Sequence, residues 1–361
     1  MTAGGDTEAV EGSGEGRGEE AVGDAADGGR GVDVGEGDPP SFGMAECRGT
    51  LQGVAIDQLI VVTDFDLTLT TGTSEQCHDV RSAPRLAAPD RHALPRAWLP
   101  CLTTAPPTAL PPAECAHIEN PPQVLGASPR LPAALRRAFE PLLDFSTPFP
   151  PELASDGWWS RANELLVAHG GKLTKDDVEC CVREADVELR PGALRWLRRL
   201  AHLRVPTLVV SAGFTDVVEA VLKAADPSVA EWCRVSSNRL VFGEQGGGIV
   251  AVEPSTPCTS YNKADQYARN REWFESFPMR TTALVVGDKI SDLSAMDGAP
   301  SSYTNIGVGV RNDNPDGESS RHPPLSDFRQ AYDVVLCGDR ASLDGITDLV
   351  DALATGKMGE E

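Results

Sequence analysis

The chain has little positive charge, no long apolar run and no paired cysteine motif, and each absence excludes a class of protein. Among its 361 residues, 54 Asp and Glu outnumber 32 Lys and Arg, which gives a formal net charge of -22. A nucleic-acid-binding protein needs Lys and Arg to displace phosphate counterions, so we expect no nucleic-acid partner. No run approaches the ~18 apolar residues of a membrane span, so we expect no membrane partner.

The nine cysteines are irregularly spaced. An odd number of cysteines without a C-x-x-C pair argues against both a disulfide framework and a zinc site. We therefore expect reduced thiols in a cytoplasmic protein.

Two stretches have a composition that does not favour packing. Residues 1–40 combine eleven Asp and Glu with two Arg and twelve Gly. Such a segment buries too little apolar surface to offset the entropy of ordering, so we predict a disordered acidic tail over 1–46. Residues 81–132 contain twelve of the 28 prolines. Proline removes backbone donors and disfavours helices and central strands, which predicts an irregular insertion there.

The rest of the chain alternates short apolar strands with amphipathic helices. This alternation is typical of a doubly wound, mostly parallel α/β sheet. The strands are predicted at 58–63, 207–210, 248–252, 283–286 and 333–337, and the helices at 135–143, 158–169, 174–185, 193–200, 215–225 and 264–277.

Helices also fill the stretch between the first two predicted strands. We predict an inserted helical cap domain over 133–185, above the carboxyl ends of the strands. The α/β core is then assigned to 47–80 and 186–361.

Two acids, Asp64 and Asp66, follow directly on the first predicted strand. Ligands bind in open α/β sheets at the carboxyl ends of the strands, where both carboxylates can point into one crevice. One can attack as a nucleophile while the other donates or accepts a proton. Alone, such a pair more often marks a turn with solvated acids.

Three further sites follow in chain order. Ser211 and Ala212 offer a hydroxyl and backbone N–H groups where a helix begins, which can cradle an anion or simply cap the helix. Lys263 can neutralise phosphoryl oxygens, although a lone lysine is more often a solvated surface group. Asp288 and Asp292 stand four apart after a buried strand. With the first pair they can form an oxygen-rich site for Mg2+, or one of them can cap a helix.

The order acid pair, serine, lysine, acid pair is specific where each part alone is weak. The matching residues are Thr63-Asp64-Phe65-Asp66 with Thr68-Leu69, Cys77-His78, Trp158-Trp159, Val210-Ser211-Ala212-Gly213 with Asp216-Val217, Ser237-Asn238, Asn262-Lys263, and Gly287-Asp288 with Asp292-Leu293 and Asp297-Gly298. The set resembles the haloacid dehalogenase superfamily of phosphotransferases, with its HAD-like Rossmannoid core. More narrowly, the chain is similar to the cytosolic pyrimidine 5'-nucleotidase (5'-nucleotidase III) family, over about 55–355 apart from the proline-rich insertion.

The resemblance implies a magnesium-dependent phosphoric monoester hydrolase. Its substrates would be nucleoside 5'-monophosphates, above all CMP and UMP, and the reaction would pass through an aspartyl phosphate. Asp64 would be the nucleophile, while Asp66 would protonate the departing ribose oxygen and then deprotonate the hydrolytic water. Mg2+ would be held by Asp64, the backbone carbonyl of Asp66 and Asp288, with Asp292 supporting them.

Ser211, the Ala212 amide and Lys263 would bind the phosphoryl group by the same resemblance. The base-reading residues depart from the family pattern, which has a serine in the aromatic cap helix and a carboxylate upstream. Ala162 takes the serine's place. The carboxylate stays open among Glu140, Asp144 and Glu152. A separate departure lies beside the implied metal ligand Asp288, where Lys289 stands in place of the usual small polar residue.

Trp158 and Trp159 are adjacent on the predicted cap helix, so their side chains point about 100° apart. At most one can stack on a base, and packing in the cap or core is the expectation for each.

Two rival functions remain. One is another small-molecule phosphatase of the superfamily, such as one acting on phosphoserine. The other is a catalytically inactive scaffold whose acidic tail recruits basic partners. The complete aspartate set counts against the scaffold, because clustered like charges cost stability.

Overall fold

The structure, a computed structural model, describes residues 41–71, 130–142, 150–153, 156–185, 187–312 and 323–357. Its strands form one eight-stranded sheet in the order β1-β8-β7-β6-β2-β3-β4-β5. The inner strands all run parallel, and the two edge strands pair antiparallel with their neighbours. The strands are β1 (Ser41–Phe42), β2 (Leu59–Asp64), β3 (Thr207–Phe214), β4 (Arg234–Phe242), β5 (Ile249–Glu253), β6 (Thr282–Gly287), β7 (Thr304–Arg311) and β8 (Val334–Cys337).

The helices cover the sheet and the stretch between β2 and β3. Within the described ranges, none is both long enough and apolar enough to cross a lipid bilayer. The α-helices are α1 (Met44–Thr50), α2 (Ala133–Phe139), α3 (Gly157–His169), α4 (Lys175–Glu184), α5 (Ala193–His202), α6 (Thr215–Ala225), α7 (Pro227–Trp232), α8 (Gln266–Arg269), α9 (Arg271–Glu275), α10 (Leu325–Ala331) and α11 (Asp344–Thr355). Short 3-10 turns lie at Ile56–Gln58, Glu140–Leu142, Pro151–Leu153, Glu244–Gly246, Lys263–Asp265 and Ile290–Met296.

The central strand β2 is buried along its whole length. Because side chains alternate across a sheet, Leu59 and Val61 pack into the core on one face. Ile60 and Val62 pack into a second core on the other face. A strand that is apolar on both sides can only lie inside a covered parallel sheet, which is the fold class predicted from the sequence. That prediction is confirmed.

The chain order creates a switch point beside β2. From β2 the chain proceeds to β3 and β4 on one side, and later returns to β6 and β7 on the other. The carboxyl ends of β2, β3 and β6 are therefore neighbours at the point where strand order reverses. Ligands of open α/β sheets bind at such points.

The chain leaves the core before helices α2, α3 and α4 and returns to it after them, and the outgoing and returning segments lie side by side. Thr70 and Leu189 form an isolated antiparallel bridge there, and the Arg190 N–H donates to the Leu69 carbonyl at 2.8 Å. The assignment of 133–185 to a cap domain stays a prediction. The predicted insertion over 81–132, except its last three residues, and the pair Cys77-His78 lie outside the described residues.

The prediction of disorder over 1–46 is wrong for its last six residues, while 1–40 lie outside the described ranges. Ser41 pairs with Leu336 on the edge of the sheet. Gly43 has a φ of 80°, and a Cβ there would lie 2.0 Å from the Asp333 carbonyl oxygen. Only glycine fits this turn. It starts α1, which buries Cys47. The prediction failed here because the glycine-rich, acidic composition of the preceding residues outweighed the few residues from Ser41 onward that pair with the sheet and begin α1.

Candidate active site

The predicted acid pair lies at the switch point. Asp64 is the last residue of β2 and Asp66 follows it, and both are buried, with 7% and 6% of their surface exposed. Phe65 between them packs into the core. A small cavity of about 20 Å³ begins at these carboxylates; it is lined by Asp64, Asp66, Trp159, Ala212, Ser260, Lys263, Asp288 and Lys289.

Lys263 connects the two acid pairs. Its Nζ lies 2.7 Å from Asp64 Oδ1 and 2.5 Å from Asp292 Oδ1, and only 4% of the residue is exposed. Burial disfavours the ammonium charge, but Asp292, Asp64 and Asp288 outweigh it and hold the pKa of Lys263 well above its usual value. The residue is therefore a fixed positive charge among carboxylates.

The surroundings of Asp64 raise its pKa. Burial, opposed by Lys263 and reinforced by the charges of Asp292 and Asp66, raises its pKa to about 6. The carboxylate stays ionised near neutral pH because Lys263 offsets much of the cost of burying it.

Three of the predicted metal ligands converge. One carboxylate oxygen each from Asp64, Asp288 and Asp292 lies within 4.8 Å of the others, and all three residues are buried. A donor set made only of carboxylate oxygens fits a hard cation such as Mg2+. Both Asp292 oxygens also accept protein hydrogen bonds, one from Lys263 and the other from the Lys289 N–H at 2.9 Å. These two hydrogen bonds agree with a role for Asp292 in supporting the metal ligands. The bond from the Lys289 N–H is also the capping contact considered above, at the start of the 3-10 turn Ile290–Met296.

Gly287 makes room for this arrangement at the end of β6. A Cβ on Gly287 would lie 2.1 Å from Asp292 Oδ2. Any larger residue would displace the carboxylate, so the glycine fixes where Asp292 can lie.

The strand β3 ends later than predicted, at Phe214 rather than before Ser211. The pairing with β4 is irregular between Val210 and Phe214. This irregularity lets the strand carry Ser211 into the site, where its Oγ lies 3.2 Å from Asp66 Oδ2 and accepts the Gly213 N–H at 2.9 Å. Ala212 lines the cavity.

Two residues of the site, Thr68 and Ser260, were given no role in the sequence analysis. Thr68 Oγ lies 3.3 Å from Asp64 Oδ2 and 3.5 Å from Asp288 Oδ1. Its spacing of four residues from Asp64 was the available signal. Ser260 lines the cavity without any signal in the sequence.

The first helix residues of α3 lie over the cavity. Trp159 lines it, is 1% exposed, and its Nε1 has no hydrogen-bond partner among the described residues. Its ring makes an edge contact with Tyr261, with centroids 5.8 Å apart. Asp156 Oδ1 accepts from Thr259 Oγ at 2.5 Å. The segment that carries Lys263 therefore also holds this helix.

The two adjacent tryptophans differ in their surroundings. Trp158 is completely buried, and its Nε1 donates to the Leu142 carbonyl at 3.0 Å. Ala162 is buried within the same helix and does not line the cavity. Asp144 lies outside the described residues, so the upstream carboxylate stays open.

A larger cavity of about 970 Å³ lies beside β4 and β5. Its lining contains none of the predicted site residues. Size alone therefore does not single out the predicted site, whereas the acid–lysine cluster does.

The fold and the site define an α/β protein with an acid-rich, lysine-bridged centre at its topological switch point. A sequence model of the family described as Pyrimidine 5'-nucleotidase (UMPH-1) matches residues 153–354. This match covers more than half of the chain, and the chain belongs to that family. The family predicted from the sequence motifs is confirmed.

Relatives of known name are similar over part of their length. A 7-methylguanosine phosphate-specific 5'-nucleotidase from Gallus gallus is 32% identical over 196 residues, which cover 54% of this chain and 63% of the relative. The protein of the same name from Homo sapiens is 28% identical over 196 residues, or 54% and 60% of the two chains. The chain thus spans about three fifths of the curated relatives that it matches.

One solved structure is similar in fold. The crystal structure of cytosolic 5'-nucleotidase IIIB bound to cytidine has a TM-score of 0.59 and 19% sequence identity, and the match covers 86% of this chain and 91% of that chain. At this identity the likeness concerns the fold alone.

Proposed function

We propose that the chain is a 5'-nucleotidase, a phosphoric monoester hydrolase that converts nucleoside 5'-monophosphates to nucleoside and phosphate. The observation that carries the proposal is the Lys263 ammonium held between Asp64 and Asp292 in one buried cluster. The site contains a nucleophile, a second acid and a fixed cation, which phosphoryl transfer requires. Membership of the pyrimidine 5'-nucleotidase family supports the same reaction class.

Asp64 and Asp66 divide the covalent chemistry. A carboxylate oxygen of Asp64 attacks phosphorus, the bond between phosphorus and the ribose 5'-oxygen breaks, and an aspartyl phosphate forms. Asp66 gives its proton to the departing ribose oxygen. It then takes a proton from the water that attacks the aspartyl phosphate, which releases phosphate and restores the Asp64 carboxylate.

Lys263 and the β3 end stabilise the transferred group. The ammonium lies where phosphoryl oxygens would approach Asp64, and a charge fixed before the reaction costs no reorganisation. The Ser211 hydroxyl and the Ala212 amide would complete the phosphoryl contacts.

The donor set described above fits Mg2+, which we propose as the cofactor. Asp64, the Asp66 backbone carbonyl and Asp288 would hold it, supported by Asp292. When bound, the ion supplies the positive charge that lets a phosphate dianion approach clustered carboxylates. We expect EDTA to abolish hydrolysis and added magnesium to restore it, measured as phosphate release. Full activity in chelator would contradict this proposal.

Two classes of base are candidates for the substrate. The resemblance to the cytosolic pyrimidine 5'-nucleotidase family implies the pyrimidine nucleotides CMP and UMP. The named relatives favour 7-methylguanosine monophosphate. Trp159 supports either, because an indole that lines the cavity can stack on any base, and it can attract a positively charged methylated purine in addition.

We also propose a cytoplasmic location. The cysteines in the described part of the chain are free thiols, which persist in a reducing compartment.

The test is a substrate panel with purified protein and magnesium. Phosphate release is measured from CMP, UMP, 7-methylguanosine monophosphate and phosphoserine, with Asp64→Asn as the matched control. We expect kcat/KM for at least one nucleotide to exceed that for phosphoserine by tenfold or more. The variant should lose activity and keep the circular dichroism spectrum of the parent.

Two results would overturn the proposal. Faster turnover of phosphoserine would favour the rival phosphatase. Equal activity in Asp64→Asn and the parent would rule out Asp64 as the nucleophile.

A further inference from the structure

Arg190 is a buried arginine that binds the loop following the acid pair at the end of β2. It stands where the chain re-enters the core before α5, and only 1% of the residue is exposed. Its guanidinium donates to three carbonyls of the loop after β2. The Nε–H reaches the Thr68 carbonyl at 2.8 Å, and Nη2 reaches the carbonyls of Leu67 at 2.7 Å and Thr70 at 3.2 Å.

The same guanidinium also reaches two other segments of the core. Nη1 donates to the carbonyls of Asp339 at 3.1 Å and Ala341 at 3.3 Å, after β8. Nη2 donates to the side-chain oxygen of Asn312, after β7. All these acceptors are neutral oxygens, so the planar group joins three separate segments by shape as well as charge.

The loop after β2 needs such support because its backbone is strained. Leu67 has a φ of 62°, a left-handed conformation that is strained for a residue other than glycine. Its carbonyl also accepts from Asn312 Nδ2 at 2.9 Å. Three carbonyls that converge on one point would repel one another without a donor between them.

The loop held by Arg190 also touches the reacting groups. Thr68 is completely buried, and its hydroxyl lies 3.3 Å from Asp64 Oδ2 and 3.5 Å from Asp288 Oδ1. The peptide whose carbonyl Arg190 binds therefore carries the hydroxyl that contacts the proposed nucleophile and a proposed metal ligand.

Burial lowers the pKa of Arg190 to about 10, against the opposing effect of Asp288. The group is still charged near neutral pH. It thus places a second fixed cation near Asp288, and it is not one of the residues that line the cavity.

We propose that Arg190 is a positioning residue that clamps the loop after β2 and so fixes Thr68 against Asp64 and Asp288. The inference rests on the proposed function for its effect on turnover, and on the hydrogen bonds alone for the clamp. Arg190 touches neither substrate nor reacting atoms in this arrangement, and it acts through the loop.

Arg280 is the matched control. It also donates to three backbone carbonyls, those of Ile56 at 2.6 Å, Leu59 at 2.8 Å and Arg204 at 2.9 Å. Ile56 and Leu59 lie at the start of β2 and Arg204 lies just before β3. All three are at the amino ends of these strands, whereas the acid cluster lies at the carboxyl ends. Arg280→Met therefore removes a comparable clamp without touching the loop at Thr68.

The experiment compares Arg190→Met, Arg190→Lys and Arg280→Met with the parent chain. We expect Arg190→Met to lower kcat at least 100-fold with KM within threefold of the parent. Arg190→Lys should recover at least fivefold of that loss, because lysine keeps the charge but satisfies fewer carbonyls. Arg280→Met should keep kcat within threefold once the folded fraction, measured by urea unfolding, is taken into account.

A second readout needs no turnover. Amide hydrogen exchange of the peptide covering 65–71 should accelerate at least tenfold in Arg190→Met and stay unchanged in Arg280→Met. If Arg190→Met does not fold, kcat and amide exchange at 65–71 are measured in Arg190→Lys instead, and both should change in the same direction by a smaller factor. Unchanged exchange at 65–71, or equal losses of kcat in the Arg190 and Arg280 variants, would overturn the inference. If exchange at 65–71 accelerates in Arg190→Met but the parent chain hydrolyses no nucleotide, the proposed function is rejected and the clamp is kept.

Discussion

The substitution Lys263→Met tests whether this lysine holds the acid cluster together. The ammonium contacts Asp64 and Asp292 at 2.7 Å and 2.5 Å, and all three residues are buried. Methionine has a similar volume but carries no charge, so the variant leaves two buried carboxylates without their counter-charge. It therefore perturbs electrostatics more than packing.

The expected magnitude follows from the burial of the pair. Removing one partner of a buried ion pair costs roughly 3–5 kcal/mol, because the remaining charge stays desolvated. For a domain of this size each kcal/mol lowers the melting temperature by roughly 2–4 °C, so we expect a loss of about 6–20 °C in metal-free protein. Removing one fixed electrostatic contact to a transition state lowers kcat by roughly 10²–10³-fold.

The assay is thermal unfolding with and without magnesium, together with phosphate release. Magnesium should raise the melting temperature of Lys263→Met more than that of the parent, since the ion replaces the lost positive charge. Lys223→Met is the control, because Lys223 is 64% exposed and lies 3.7 Å from Glu179 in a surface pair. A melting temperature for Lys263→Met that stays as close to the parent as that of the control would refute the reasoning.

Three further predictions follow from single contacts. Gly287→Ala should lower kcat at least tenfold, since the added methyl would lie 2.1 Å from Asp292 Oδ2; steady-state kinetics and an unchanged circular dichroism spectrum check this. Trp158→Phe should cost about 1 kcal/mol in urea unfolding through its lost hydrogen bond and leave KM unchanged, whereas Trp159→Phe should raise KM. Burial raises the pKa of Cys258 from 9.0 to about 11. The folded state thus retains a proton that the unfolded chain releases, so stability should fall between pH 9 and 11, and less so in Cys258→Ala.

The convergence of the proposed site acids could be predicted because Asp64 and Asp288 each end or follow a short apolar strand. The run that ends in Asp64 is local information, and so is the run before Asp288. Parallel strands place their carboxyl ends on one edge, so the rule that joins these residues needs no knowledge of contacts. The same logic identified the fold class.

The strands β4 and β7 were missing from the predicted set for physical reasons. β4 carries Ser236 and Asn238 on its buried half, where their polar groups bind other elements such as Gln266 and the Ala212 carbonyl. β7 contains Gly307 and Gly309, which give a weak strand signal. Their small size lets Tyr332 pack closely against the sheet. Tertiary contacts override the local preference in both strands.

The local sequence pattern also could not predict where β3 ends or which loop residues enter the cavity. Nothing in the residues after Val210 indicates that β3 continues through an irregular pairing to Phe214. Likewise, Ser260 enters the cavity only because the segment before Lys263 folds under α3. Such positions depend on which segments pack together.

Lys263 and Arg190 show why the two kinds of site residue differ in how far a sequence reveals them. Both are buried cations, and each must be compensated. Lys263 is compensated by carboxylates. Acid pairs that follow apolar strands are uncommon enough to be noticed in a sequence, so they indicate the site. Arg190 is compensated by carbonyls, which every residue possesses, and those acceptors come from segments more than 100 positions away. Replacing Lys263 therefore changes the charge of the cluster, whereas replacing Arg190 changes its shape. Magnesium can offset the first change because it supplies charge, but it cannot restore a loop geometry that three carbonyl contacts define.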